Sequence, residues 1–187
     1  MLYTTFDSLL PPTYQNVTLF PTPLQAEIES ANSWIYPTIN NGVYRSGFAT
    51  TQEAYTKAVT ELFASLDKVE SHLSSSFSKG QPYYFGSTIT EADIRLFTTI
   101  IRFDPVYVQH FKCNVRDIRS GYPALHRWMR GLYWNVPAFG EETTRFDHIK
   151  LHYTRSHTQI NPYGITPVGP VPDVLPLGEE VAAVGGK

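Results

Sequence analysis

Gly86-Ser87-Thr88-Ile89-Thr90-Glu91-Ala92-Asp93-Ile94-Arg95-Leu96-Phe97 is the stretch whose reading decides the fold. Thr90 followed three residues later by Asp93 is a capping-box arrangement, closed here by an aspartate. Each side chain can satisfy a backbone N–H that the first turn of a helix leaves without a partner. Behind the cap, Ile94, Leu96, Phe97, Ile100, Ile101 and Phe103 make a strongly apolar run, so the spacing predicts a helix buried at the centre of a bundle. That helix should end near Asp104, because Pro105 cannot continue it. Thr90 and Asp93 are structural capping residues in this reading, and losing either should cost about 1 kcal/mol or more.

The segments on both sides are helical too. Tyr55, Val59, Leu62, Phe63, Leu66, Val69 and Leu73 step by three and four, which predicts a helix over 52–75 with Thr50 and Glu53 as its capping box. Leu24, Ile28, Ala31, Ile35 and Ile39 mark an earlier helix that Pro37 must kink or end. Asn40 to Phe48, bounded by turn-forming residues, reads as a loop. Downstream, a short helix is expected around Val106 to Phe111, and another starts at Pro123 and carries Leu125, Trp128, Met129, Leu132 and Tyr133. A last one runs from Thr144 to Arg155. No alternating run is long enough for a sheet, so the expected fold class is all-α. Residues 1–23, broken by four prolines, read as a linker, 24–157 as the helical domain, and 158–187 as a Pro/Gly-rich tail that straps the surface and then frays.

Bulk composition narrows the function classes. Of the 187 residues, 42% are apolar and 14% aromatic, so rings should fill the core and line any pocket. A net charge of -2 argues against nucleic acid as the main partner. Ten basic residues nevertheless cluster between Arg95 and Arg155, and five of the six histidines follow Arg95, a bias that could draw in a small anion. The single cysteine, Cys113, permits no intramolecular disulfide, and no apolar run approaches a bilayer span, so a cytoplasmic protein is the expectation.

Several long strings carry a family resemblance: Asn40 to Phe48, Ala92 to Phe97, Ile101-Arg102-Phe103-Asp104-Pro105-Val106-Tyr107, His110 to Asn114, His148-Ile149-Lys150-Leu151-His152-Tyr153 and Pro167-Val168-Gly169-Pro170. Together, in this order over roughly residues 20–170, they resemble the C-terminal helical domain of xi-class, omega-like glutathione transferases, which act as glutathionyl-hydroquinone reductases. The resemblance implies a glutathione-transferase helical bundle, glutathione as co-substrate, aromatic hydroquinone conjugates as substrate, and a homodimer. It also implies a preceding thioredoxin-like domain whose Cys-Pro thiolate is the nucleophile. Met1 to Pro12 resembles the junction after that domain, so the expectation is a chain without it, and no Cys-Pro pair occurs in the sequence. The catalytic cysteine is thus expected outside this chain. A binding or interaction module that has lost turnover is the competing reading.

Tyr44 is the leading candidate to touch substrate, because a phenol in a glycine-flanked loop can donate to a quinol oxygen. Tyr153 is second: the resemblance places a substrate-facing tyrosine in this motif, although members often have two consecutive tyrosines where this chain has Tyr153-Thr154. Arg45 could meet a glutathione carboxylate across a dimer or domain interface, with a solvated surface arginine as the alternative reading. Arg102 and Asp104 are expected to form an internal ion pair. Cys113, despite His110 and Lys112 nearby, has no orienting third group and reads as inert. His148 and His152 are one helical turn apart, but without an HExxH pattern they are not read as metal ligands.

Overall fold

A computed structural model describes residues 5–15 and 17–179, so the ends of the expected linker and tail, residues 1–4, 16 and 180–187, lie outside the described residues. From Gln25 onward, eight α-helices follow one another among the described residues: α1 Gln25–Ile35, α2 Gly42–Gly47, α3 Gln52–Ser78, α4 Glu91–Ile100, α5 Val108–His110, α6 Ile118–Gly121, α7 Pro123–Asn135 and α8 Phe146–Ser156. No strand occurs among the described residues, and the all-α expectation holds.

Helix α4 is the buried centre. Ala92, Asp93, Leu96, Phe97, Thr99 and Ile100 are all enclosed. The expected capping box is present, and Asp93 does more than cap. Its Oδ2 accepts from Thr90 N at 2.9 Å and Thr90 Oγ1 at 3.0 Å, while Oδ1 accepts from Tyr84 N at 2.8 Å and the Trp128 indole Nε1 at 3.0 Å. One fully buried carboxylate thereby pins the loop before α4 and helix α7 to the start of α4. Without those four donors, burying the charge would be prohibitive.

Helix α3 buries the expected stripe, from Val59 to Leu73. Its cap lies one residue later than the sequence suggested: Thr51, in extended conformation, accepts from Ala54 N at 3.2 Å. Counting from Thr51, the third helical residue is Ala54, which has no side chain to reciprocate, so Glu53 closes no box. The helix also runs three residues past Ser75, to Ser78, and within it the hydroxyls of Ser71 and Ser76 bond back to Asp67 O and His72 O. Gly80, at φ 73°, ends it.

Pro37 interrupts the regular α-helix after Ile35, in line with the expected kink or end, whereas Pro105 does not end the helical coil at Asp104. Neither Pro37 nor Pro105 stops the helical path; each sits in a widened turn, Tyr36–Asn40 and Phe103–Tyr107. Proline has no N–H for the ordinary bond, so the chain closes over five residues, as in Asn41 N to Tyr36 O at 2.9 Å. The segment read as a loop, Asn40 to Phe48, is largely helix α2. Gly42 and Gly47 are helix breakers by propensity, but Gly42 sits against Leu62, and a Cβ on Gly47 would lie 2.1 Å from the Phe111 ring. Close packing overrides propensity here.

Arg102 and Asp104 do not pair. Asp104 accepts from Ile118 N at 2.7 Å and Arg119 N at 3.0 Å at the start of α6, while Arg102 Nη1 donates to Thr98 O. After α8 the chain runs without regular structure to residue 179, yet it is tied down. Lys150 meets Val168 O at 2.9 Å and Asp173 at 2.6 Å, Trp134 Nε1 reaches Leu175 O at 2.9 Å, and Val174 is buried.

Candidate functional site

The three tyrosines that form the site come from three separate elements. Tyr44 projects from α2, Tyr107 from the widened turn after α4, and Tyr153 from α8. Their hydroxyls form a chain: Tyr107 to Tyr153 at 2.8 Å, and Tyr153 to Tyr44 at 2.6 Å. Tyr107 is 2% exposed and Tyr153 6%, whereas Tyr44 is 38% exposed. Phe111 stacks on Tyr107 with ring centroids 5.4 Å apart and lies 5.0 Å from Tyr44, so the rings hold one another in place.

Burial drives the electrostatics. It pushes the Tyr107 phenol far above its ordinary value, and Tyr153 up to about 12, so both keep their protons at neutral pH. Tyr107 donates most simply outward, since its enclosed hydroxyl bonds to Tyr153. Either hydroxyl of each pair can donate, and when Tyr153 in turn donates to Tyr44, the Tyr44 hydrogen is left for the cleft. Such a chain polarises its outer hydroxyl and makes it a better donor to a ligand oxygen.

That outer end opens onto a cleft of about 830 Å³. Its walls come from the turn and helix around Tyr36, Asn40 and Tyr44, from α4 and its continuation through Thr98, Arg102 and Tyr107, and from α8 through His148, Ile149, His152 and Tyr153. The volume falls within the range of roughly 300–1,000 Å³ typical of small-molecule sites.

Of the candidates read from sequence, Tyr44 and Tyr153 are brought together, although Tyr44 stands on a helix and not in a loop. Arg45 is not in the cleft wall; its Nη1 pairs with Glu61 at 3.0 Å on the surface. Thr154, which stands where the resemblance expects a second tyrosine, is buried and bonds to Lys150 O at 2.9 Å and Thr166 at 2.8 Å, tying helix to tail. Cys113 is fully buried, and burial pushes its thiol up to about 12, the opposite of an activated nucleophile. His148 and His152 line the cleft instead of binding each other. His110 and His157 form a separate pair, Nε2 to Nδ1 at 3.1 Å. Burial, with His157 and Lys112 nearby, lowers His110 to about 4. Sequence reading missed Tyr107, Arg95 and Arg102 as site residues. Their positions in apolar or helical runs carried no local signal of a shared cavity.

Comparison with known proteins bears on the fold and the family. Residues 52–131 match the family described as glutathione S-transferase, C-terminal domain. Glutathione S-transferase omega-like 2 of Saccharomyces cerevisiae is 53% identical over 92% of this chain and 50% of its own length. Glutathionyl-hydroquinone reductase YqjG of Escherichia coli is 50% identical over 87% of this chain and 47% of its own. The crystal structure of the xi glutathione transferase ECM4 from Saccharomyces cerevisiae in complex with glutathione superposes with a TM-score of 0.89 at 53% identity, over 93% of this chain and 55% of that one. This chain spans about half the length of the curated relatives it matches. On the fold, the capped central helix and these matches, the chain belongs to the xi-class, omega-like glutathione transferases and carries their all-α C-terminal domain.

Proposed function

We propose that this chain forms the hydroquinone-side wall of a glutathione-dependent reductase acting on glutathionyl-hydroquinones, within a cytoplasmic homodimer. The observation that carries the reading is the chain of hydroxyls joining Tyr107, Tyr153 and Tyr44, the last of which lines the cleft. In the reductive step, a thiolate attacks the sulfur of the glutathionyl-hydroquinone. A glutathione mixed disulfide forms, the carbon–sulfur bond breaks with its electron pair going to the ring, and the released hydroquinone takes up a proton. A second glutathione then resolves the disulfide. A phenol donating to a hydroquinone oxygen would stabilise charge that grows on the ring as the bond breaks. Tyr44 takes that role in this reading, with Tyr153 and Tyr107 orienting it. The glutathione site and the attacking thiolate are assigned to residues outside these 187, because Cys113 is enclosed and held as a thiol.

Calorimetric titration of the purified 187-residue chain with hydroquinone tests the pocket. Binding should be measurable and weaken about three- to tenfold in Tyr44→Phe, the worth of one hydrogen bond. Unchanged binding in that variant would remove Tyr44 from the site. Turnover of a glutathionyl-hydroquinone by this chain alone would overturn the division of labour. Tight hydroquinone binding without turnover is also what a ligand-binding module would show; Tyr44 serves both.

A further inference from the structure

The cleft is cationic on one wall, and with the glutathione carboxylates assigned to residues outside this chain, the hydroquinone ring itself uses none of that charge. Apart from the tyrosines, its titratable lining among the described residues is Arg95, Arg102, His148 and His152, with no carboxylate. Two of the four are already matched from behind. Arg95 Nε meets Glu91 at 2.6 Å, and His148 Nε2 lies 3.7 Å from Asp147. For Arg102 no ion pair is found among the described residues. One of its guanidinium nitrogens is anchored on Thr98 O, one turn back, which leaves further N–H donors for a ligand.

The same side chain stands close to the hydroxyl chain. Its positive charge draws the titration of both Tyr107 and Tyr153 downward, against the larger effect of burial. A half-buried guanidinium lining the same cleft as Tyr44 defines two chemical demands on one ligand. An unsubstituted hydroquinone is neutral near pH 7 and meets only one of them.

We propose that the cleft is built for hydroquinones that carry a carboxylate, with the phenol oxygen at Tyr44 and the acid on Arg102. This rests on the hydroquinone reading above and adds the substrate class. A carboxylate suits Arg102 because a planar guanidinium can offer it two parallel donors. Arg95 and the imidazoles of His148 and His152 add a field of the same sign, so the acid meets no repulsion on entry.

The test compares three probes on the full 187-residue chain by titration calorimetry at pH 7.5 and low salt: 2,5-dihydroxybenzoate, its methyl ester and hydroquinone, all kept reduced with ascorbate. The acid is expected to bind about tenfold more tightly than the ester, a charge-assisted hydrogen-bonded pair's worth, and the ratio should shrink in 0.5 M salt. Arg102→Gln should bring the acid-to-ester ratio to about one, and Arg102→Lys should restore part of it, with far-UV circular dichroism confirming that both fold. Equal binding of acid and ester by the unaltered chain overturns the proposal, as does a ratio that survives in Arg102→Gln. Failure of the hydroquinone reading looks different: neither hydroquinone nor the ester binds, or Tyr44→Phe leaves both unaffected.

Discussion

Replacing Asp93 with alanine should be among the most damaging single changes to this chain, and the structure allows the size to be worked out. Asp93 is fully buried and accepts from four donors, Thr90 N, Thr90 Oγ1, Tyr84 N and Trp128 Nε1, at 2.8–3.0 Å. Bonds to a charged acceptor contribute about 1.5–3 kcal/mol each, but the carboxylate also gave up its hydration on burial, which offsets part of that sum. In the alanine variant the more direct count is of donors left behind. The Thr90 hydroxyl can rotate to a new partner, whereas Thr90 N, Tyr84 N and Trp128 Nε1 cannot. Each enclosed donor without a partner costs about 1–3 kcal/mol, and a water admitted to the vacated space would recover one of them. The expected loss is about 3–5 kcal/mol, a large share of the 5–15 kcal/mol typical of a whole domain. Asp93→Asn keeps the shape and one acceptor oxygen but turns an amide toward two donors, so about 2 kcal/mol is expected. Urea unfolding followed by circular dichroism at 222 nm measures this: at about 2 kcal/mol per M, the midpoint should fall by roughly 2 M in Asp93→Ala and 1 M in Asp93→Asn. If Asp93→Ala does not fold at all, Trp128→Phe, which removes one donor and keeps an apolar ring, should cost about 1 kcal/mol. A loss below about 1.5 kcal/mol in a folded Asp93→Ala would refute the reasoning, because the carboxylate would then hold nothing together.

Two further outcomes follow from packing and titration. Gly47→Ala should cost about 1–3 kcal/mol and weaken ligand binding at the cleft, since the new methyl would drive into the Phe111 ring that supports Tyr44; a variant as stable as the parent by thermal melting would contradict the contact. Acid should also destabilise the fold. His110 and His126 are both lowered by burial to about 4 in the folded state, so the unfolded chain takes up protons first. Their stabilising effect is complete above the ordinary histidine value near 6.5 and is lost as pH falls toward 4. Asp104, raised to about 6 by burial, works the other way, regaining stability as pH falls from about 6 toward 4. Two groups outweigh one, and the net loss by pH 5 should be on the order of 2 kcal/mol, seen as a melting temperature several degrees lower than at pH 7.5. A flat melting temperature over that range would show that the imidazoles are not held neutral.

How far the sequence could be read depended on how far each signal reached along the chain. The box at Thr90 and Asp93 and the three-four stripe of α3 are set by neighbours within one or two turns, and both appear where the pattern put them. What Asp93 does for Tyr84 and Trp128 was not visible, because those bonds span 9 and 35 residues. The hydroxyl chain reaches further still, joining positions 109 and 46 residues apart. Helix α2 was misread for a related reason. Gly42, Ser46 and Gly47 are poor helix formers, and they are buried here because α2 lies close against α3 and Phe111. A propensity reading weighs the residue alone, and here the neighbour decides. Arg45 reads from sequence as meeting a glutathione carboxylate across an interface, and within this chain its guanidinium pairs with Glu61 at the surface.

The two prolines explain why the cleft in particular escaped notice. An α-helix turns about 100° per residue, so a turn closed over five residues instead of four rotates every later side chain by roughly that amount. The stripe that buries α4 cannot therefore be extended through Pro105 to say which way Tyr107 faces, and the stripe of α1 cannot be carried through Pro37 to Asn40 and Asn41. Asn40, Asn41 and Tyr107 are cleft-lining residues that lie within or next to those widened turns. The bundle is assembled from stretches where the helical period is kept, and it is recognisable from that period. Much of the cleft is assembled where the period is broken, which is also where a chain can turn polar groups out of a packed helix without unpacking it. A reading that treats Pro37 and Pro105 as rephasing the helix, and not as ending it, would carry the search for site residues past each proline to the residues that line the cavity.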